Sequence, residues 1–188
     1  HDYHMKWEHT LAWHMITADK NLQLSNERAY NNDGDLLPNL KVCIENLKNH
    51  RNLIDSAVVV NLKCVIHMIE DMHCPCHIFY TEFDDCFSHT TPEGKKVRRH
   101  DQMRVYYNGK KTTSHRVWDG LSIRQIWPEY GPDYEKFRVA LDKLPQKKID
   151  KICKGTIEEW VLQNAKDCRY IYDILEPNCK LDREFLLE

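Results

Sequence analysis

Apolar residues recur at helical spacing in two stretches of the first half of the chain. The first stretch runs from Leu40 to Lys48 and the second from Ile54 to Met72. A repeat of three and four residues places apolar side chains on one face of a helix, so both stretches are predicted to be helical. Proline lacks an amide donor and clashes with the preceding turn, so the second helix must bend or end before Pro75.

The middle of the chain has no helical period. The segment from Thr81 to Asp101 is polar and carries Pro92 and Gly94, which predicts a long surface loop. Residues 103–107 are rich in β-forming side chains, and Asn108-Gly109 follows as a strong tight-turn signal. A short hairpin is therefore expected here, and it is the only sheet that the pattern predicts.

Three more helices are predicted toward the C-terminus. Thr112, Thr113 and Ser114 offer N-caps for a helix from His115 to Ile126, which Pro128 closes. The other two are expected over 134–141 and 147–175. The last of these has a broad inner stripe made of Ile149, Ile152, Ile157, Trp160, Val161, Ala165, Cys168, Ile171 and Leu175. The fold class is accordingly mainly α, with at most a short β-hairpin.

Length and charge narrow the class of protein further. At 188 residues the chain suits one domain, 1–188, with one core. The net charge of −2 excludes the basic field that drives non-specific duplex binding. Every apolar run is far shorter than the roughly 20 residues that span a bilayer, so we expect a soluble protein without a membrane span. If nucleic acid is the substrate, metal ions must hold its phosphate.

The chain has eight cysteines, an even number that suits an oxidising compartment. The pairing stays open, and several cysteines can equally be small buried apolar residues. For Cys64, within a predicted helix, a disulfide and simple burial are weighed equally. The pair Cys74-x-Cys76 could bind a metal itself, but zinc thiolate motifs usually space their cysteines by two or more residues, so disulfides or free thiols are favoured there.

A set of histidines and aspartates has the spacing of metal ligands. His67 and Asp71 lie four apart on the second predicted helix, so both side chains leave one face. His77 follows beyond the break at Pro75. His115 and Asp119 repeat the spacing, and although one such pair is weak evidence, two pairs with a third histidine favour zinc at a hydrolytic site.

These motifs resemble the signatures of the secreted single-strand-specific zinc nucleases of the S-one/P-one type, which are related to zinc phospholipase C. Residues 62–77 are similar to an apolar helix that carries H-x-x-x-D and ends in x-H-Q-P-L-H. Residues 111–119 resemble N-L-H-x-x-W-D, and Trp13-His14-Met15 resembles a W-H-Y element. The three motifs occur in the family's order, and the last helix also suits the family.

The resemblance implies a ligand set and a reaction. His14, His67 and Asp71 would serve one zinc, Asp71 would bridge to a neighbouring zinc as the catalytic ligand, and His77, His115 and Asp119 would hold the other, more open zinc. Two or three zinc ions would hydrolyse single-stranded DNA or RNA, and 3′-nucleotides as well, by attack of a metal-bound hydroxide on phosphorus. The implied protein is a secreted endonuclease, extracellular or periplasmic, with no stable protein partner.

Several positions depart from the family pattern. The chain begins shortly before His14, so the resemblance implies that the N-terminal segment with further zinc ligands is missing. Cys74 and Cys76 stand where the family has glutamine and leucine, and a glycine-rich D-x-G-G-N element is absent after His77. Met15 replaces an aromatic residue that stacks a base in the family. Trp118 is expected to pack in the core, and His73 is not expected to be a ligand.

Two alternatives remain open from the sequence. A phospholipase C-like hydrolase would use the same zinc cluster, and an exposed apolar rim around the site would favour it. A catalytically inactive metal-binding relative is the alternative from another class, supported by the altered loop after His77 and the absent N-terminal ligands.

Overall fold

The computed structural model describes residues 10, 13–24, 36–80, 88–90, 96–98, 103–121, 134–182 and 184–185. Helices form most of the regular structure in these ranges, which confirms the mainly α class. They are α1 (Leu36–Lys48), α2 (Asp55–Asp71), α3 (Ser114–Arg116, continued by a π-helical turn over Val117–Leu121), α4 (Tyr134–Leu141), α5 (Gln146–Ile152) and α6 (Ile157–Ile174). Two 3-10 turns, His50–Asn52 and Pro75–His77, follow α1 and α2.

The prediction that one hairpin is the only sheet is wrong. The strands are β1 (Ile16–Ala18), β2 (Ile78–Tyr80), β3 (Ser88–Thr90), β4 (Lys96–Arg98), β5 (Arg104–Tyr107), β6 (Lys110–Thr113) and β7 (Lys180–Leu181). The predicted hairpin is β5–β6, and β7 adds to β5 in parallel. A second antiparallel pair, β3–β4, lies within the segment predicted as a loop. The parallel pair β1–β2 is a further sheet. It joins segments that are far apart in the sequence, and the apolar pattern did not predict it.

Helix α2 ends before Pro75 as predicted, but not every residue expected on its buried face is buried. Asp71 is its last residue, and the chain turns before Pro75 as expected. Met68 and Asp71 are buried, whereas Leu62, one of the apolar residues at helical spacing between Ile54 and Met72, is exposed. The buried face packs with α1, β1 and α6 in one cluster, whose buried members are Ile16, Leu36, Leu40, Cys43, Met68, Met72 and Val161.

The predicted C-terminal helix from Lys147 to Leu175 is two helices rather than one. Gly155 has φ +110° between α5 and α6, and a Cβ built there would lie 2.9 Å from Glu159 Oε2. Thr156 then caps α6, accepting a hydrogen bond from the Glu159 amide while the Glu159 carboxylate accepts one from the Thr156 amide. Ile149 and Ile152 are exposed because α5 does not share the inner face of α6.

Helix α6 packs against the short parallel sheet formed by β1 and β2. Its buried residues Ala165, Cys168 and Tyr172 form one cluster with Ala18, Ile78 and Tyr80 of β1 and β2. Two buried tyrosine hydroxyls connect these parts: Tyr80 donates to the Ala165 carbonyl, and Tyr172 donates to the Pro75 carbonyl, each at 2.6 Å. The turn that carries His77 is therefore anchored to α6.

Among the described residues, no helix is both long and apolar enough to cross a membrane. The predicted end of the helix from His115 to Ile126, residues 122–126, and Pro128 lie outside the described residues. Of the eight cysteines, all but Cys86 are described, and these seven are free thiols, so the disulfide prediction is not confirmed for them.

Candidate metal centre

The parallel pair β1–β2 places two of the predicted site histidines side by side. Ile16 pairs with Ile78 in parallel, so the residues just before the two strands lie at the same end of the sheet. These residues include His14 and His77. His77 Nδ1 hydrogen-bonds to the His14 carbonyl oxygen at 2.7 Å. Because a carbonyl only accepts, Nδ1 of His77 carries a proton, and Nε2 is the ring nitrogen that faces other partners.

His67 and Asp71, on the last two turns of α2, bring their side chains close to His14. His14 Nδ1 lies 2.7 Å from Asp71 Oδ2, and His67 Nε2 lies 3.3 Å from the same oxygen. His67 Nε2 is also 3.0 Å from His14 Nδ1. The other carboxylate oxygen of Asp71, Oδ1, lies 3.5 Å from His77 Nε2. Asp71 thus faces three histidines, two through one oxygen and one through the other.

The second pair of predicted residues reaches His77 from α3. The Thr113 hydroxyl accepts a hydrogen bond from the Arg116 amide and starts this helix, as the sequence predicts. His115 Nε2 lies 2.6 Å from Asp119 Oδ2, and His77 Nε2 lies 3.4 Å from Asp119 Oδ1. Asp119 falls in the π-helical turn, a distortion that is frequent at functional sites. All six residues predicted from sequence are therefore brought together in one cluster.

One buried nitrogen shows that the cluster fits a cation. His77 is only 5% exposed, and its Nε2 has no hydrogen-bond partner in suitable geometry. This atom faces Asp71 Oδ1 and Asp119 Oδ1 at 3.5 and 3.4 Å. A buried acceptor between two carboxylates is costly unless a proton or a metal ion lies among them. The donor set of imidazole and carboxylate is the one that zinc prefers at hydrolytic sites.

The charges in the cluster shift the pKa values of its members. Burial by itself lowers the pKa of His77, but the close approach of Asp119 and the charge of Asp71 outweigh burial and raise this pKa. For Asp119 burial acts in the other direction and raises the pKa, but contacts with His115 and His77 hold this pKa well below its usual range. Attraction between carboxylates and imidazoles therefore holds the cluster together, and a metal ion would replace the protons.

Distances within the cluster differ in how well they suit a bound metal. Bonds of about 2.0 Å to oxygen and nitrogen at tetrahedral angles place two ligand atoms about 3.3 Å apart. The His77 separations from the two carboxylates are close to this value. The His14–Asp71 and His115–Asp119 contacts, at 2.7 and 2.6 Å, are hydrogen-bond distances and have to open by about 0.6 Å for both partners to bind one ion.

The structure also places the neighbouring residues that the sequence analysis weighed. His73 is exposed, and its Nδ1 lies 2.6 Å from the Ile69 carbonyl, apart from the cluster. Trp118 packs against the buried cluster around Val105 and Val117, which agrees with a core role. Met15 is buried in the core, so no side chain at that position is available to stack a base. An open cleft beside the cluster is lined in part by Arg116, Asp119, Gly120 and Leu121.

One residue of the cluster was missed by sequence reasoning. Cys74 Sγ lies 3.3 Å from Asp119 Oδ1, and Cys74, His77 and Asp119 offer ligand atoms that all lie within 4.8 Å of one another. The signal was present, since a cysteine replaces glutamine three residues before His77 in the motif. It was set aside because a Cys-x-Cys pair is not a usual zinc thiolate spacing.

A mainly α scaffold with histidines and aspartates gathered beside an open cleft is the arrangement expected of a metal-dependent hydrolase. A protein-family model described as S1/P1 Nuclease matches residues 1–187. The chain therefore belongs to the S1/P1 nuclease family, whose members are zinc-dependent nucleases that are generally secreted, and the resemblance stated from the motifs is confirmed. A search of curated proteins finds no match.

Proposed function

We propose that this chain is a zinc-dependent phosphodiesterase that cleaves single-stranded nucleic acid, and also hydrolyses 3′-nucleotides, outside the cytoplasm. Its metal ligands in this proposal are the six clustered side chains: His14, His67, Asp71, His77, His115 and Asp119. The observation that carries the proposal is the buried Nε2 of His77, which has no hydrogen-bond partner and faces two carboxylates. Membership of a nuclease family supports nucleic acid as the substrate class.

Asp71 has the central role in the proposed site. One of its oxygens contacts His14 and His67, and the other faces His77. A carboxylate that divides its oxygens in this way can hold two cations close together, so Asp71 is proposed as the bridging ligand. Bound zinc would supply Lewis acidity toward the phosphate and a water of lowered pKa.

The other residues of the site orient and tune these ligands. The His14 carbonyl fixes the ring of His77 by accepting from Nδ1, an interaction that sets which nitrogen is free to bind. The cleft beside Asp119 offers the phosphate an approach, and the Arg116 side chain on its wall supplies a positive charge. The chain has no net positive charge, so this local cation and the metals have to hold the substrate.

Substrate competition tests this proposal. Zinc-loaded protein is incubated with single-stranded DNA, single-stranded RNA, duplex DNA and a phosphatidylcholine vesicle, and products are quantified. We expect cleavage of both single strands, at least tenfold slower cleavage of the duplex, and no release of phosphocholine. Release of phosphocholine with intact nucleic acid would establish the phospholipase alternative, and no turnover of any substrate would establish the inactive metal-binding alternative.

A pair of variants connects the activity to the cluster. Asp71→Asn keeps the size of the side chain but removes its charge, and we expect hydrolysis to fall at least a hundredfold. His73→Ala is the matched control, because His73 is a histidine near the same helix end that lies outside the cluster. Equal activity in Asp71→Asn and the wild-type protein would refute the bridging role.

A further inference from the structure

The side chain of Cys74 reaches into the proposed metal centre from the turn between α2 and the Pro75–His77 segment. Its Sγ donates a hydrogen bond to Asp119 Oδ1 at 3.3 Å. Cys74 is half-buried, while the neighbouring cysteine of the motif, Cys76, is almost fully buried. The Cys74 thiol, the first of the Cys-x-Cys pair, therefore contacts a proposed metal ligand.

The separations around Cys74 are those of atoms that share a tetrahedral metal ion. Zinc–sulfur bonds of about 2.3 Å and zinc–oxygen bonds of about 2.0 Å place the two ligand atoms about 3.5 Å apart at a tetrahedral angle. Cys74 Sγ to Asp119 Oδ1 is 3.3 Å, and His77 Nε2 to the same oxygen is 3.4 Å. The three ligand atoms all lie within 4.8 Å of one another. Little movement is needed for them to bind one ion.

We propose that Cys74 is a thiolate ligand of the zinc ion held by His77, His115 and Asp119. The inference rests on the proposed metal centre and goes beyond it by adding a sulfur ligand. On metal binding the Cys74 S–H bond breaks, the zinc–sulfur bond forms, and the proton leaves to solvent. The step involves no oxidation, because sulfur keeps its electron pair and shares it with the metal.

This ligand changes what the zinc ion can do. Two imidazoles, the Asp119 carboxylate and the Cys74 thiolate would already give this ion four protein ligands, the number found in closed structural sites, before the bridging Asp71 is counted. The ion bound by His14, His67 and Asp71 has three, which leaves a position for water or substrate. Cys74 would therefore close the site at His77 and leave the open position to the ion at His14, opposite to the arrangement that the sequence resemblance implies.

Zinc X-ray absorption spectroscopy on the reduced, zinc-loaded full chain tests the inference directly. Zinc–sulfur scattering appears at about 2.3 Å and is separated from oxygen and nitrogen scattering at about 2.0 to 2.2 Å. We expect a sulfur contribution in the wild-type protein that is lost in Cys74→Ser. Cys76→Ser and Cys153→Ser are the controls, because one alters the adjacent thiol and the other an exposed thiol on a different part of the fold. Both are expected to keep the sulfur signal.

The cobalt-substituted protein provides a second readout that does not depend on activity. Thiolate-to-cobalt charge transfer gives a near-ultraviolet absorption band, which we expect in the wild-type protein and not in Cys74→Ser. Bound zinc with only oxygen and nitrogen neighbours would overturn the inference and leave the metal centre intact. A sulfur signal that survives in Cys74→Ser, or that disappears in Cys76→Ser, would also overturn it. Protein that binds no zinc would instead refute the proposed function.

Discussion

The hydroxyl of Tyr172 is expected to stabilise both the fold and the position of His77. It donates to the Pro75 carbonyl at 2.6 Å in a buried setting, and Pro75 begins the turn that ends at His77. Tyr172→Phe removes the donor and leaves that carbonyl without this bond, which costs about 1–3 kcal/mol. For a chain of this size each kcal/mol lowers Tm by about 2–4 °C, so we expect a fall of roughly 2–12 °C.

The same substitution is expected to weaken zinc binding, because the turn that presents His77 loses its connection to α6. Partners that orient ligands typically contribute 10–100-fold in metal affinity, and for this indirect connection we expect about tenfold. Tyr80→Phe is the matched control. The Tyr80 hydroxyl is also buried and also donates to a carbonyl at 2.6 Å, but its acceptor is Ala165 in the middle of α6.

Thermal unfolding and zinc titration of the two variants separate the two effects. Both variants are expected to lose similar stability, and only Tyr172→Phe is expected to lose zinc affinity. Equal losses of affinity would show that the effect comes from general destabilisation, and an unchanged Tm in Tyr172→Phe would refute the argument from the hydrogen bond.

Three further predictions follow from the structure. Gly155→Ala is expected to cost about 1–3 kcal/mol, measured by urea unfolding, because φ is +110° and the new Cβ meets Glu159; an unchanged midpoint would contradict this. In fully reduced native protein at pH 8, exposed Cys153 is expected to react with iodoacetamide well before Cys43 and Cys168, since burial raises their pKa values to about 11 and 12; equal rates before denaturation would refute it. Free zinc at about a hundred times Kd is expected to stabilise the metal-free protein by about 2.7 kcal/mol, seen as a raised Tm that a chelator reverses, and magnesium at the same concentration is the control.

The parts of the fold that follow from local sequence were predicted, and those that depend on distant pairing were not. The end of α2 before Pro75, the hairpin after Met103 and the helix Tyr134–Leu141 follow from proline, turn residues and periodicity within a few residues. The parallel pairing of Ile16 with Ile78 depends on a contact across 62 positions between strands of three residues, which no local pattern indicates.

The break between α5 and α6 has a local signal that the apolar stripe concealed. Gly155, Thr156 and Glu159 have the spacing of a helix end followed by a capping box, and the structure uses all three in that way. Apolar residues on either side still fit a helical repeat, so the pattern predicted one helix. Capping residues were therefore more informative here than periodicity.

For the candidate site, motif spacing and the family resemblance predicted the six residues but not their mutual arrangement. His67 and Asp71 share a helix face, as do His115 and Asp119, and this follows from a spacing of four. That Asp71 faces three histidines, and that Cys74 contacts Asp119, depends on the β1–β2 pair and the turn before His77. These contacts join segments far apart in sequence, so they require the folded chain.

The zinc content of purified protein, measured together with cleavage of single-stranded DNA, tests the central claim most directly when His77→Ala is compared with His73→Ala. We expect two or three zinc ions in the wild-type protein and in His73→Ala, with cleavage in both. In His77→Ala we expect at least one ion fewer and no cleavage. Wild-type protein without zinc, or His77→Ala with full zinc content and undiminished cleavage, would contradict the proposal of a zinc centre around His77.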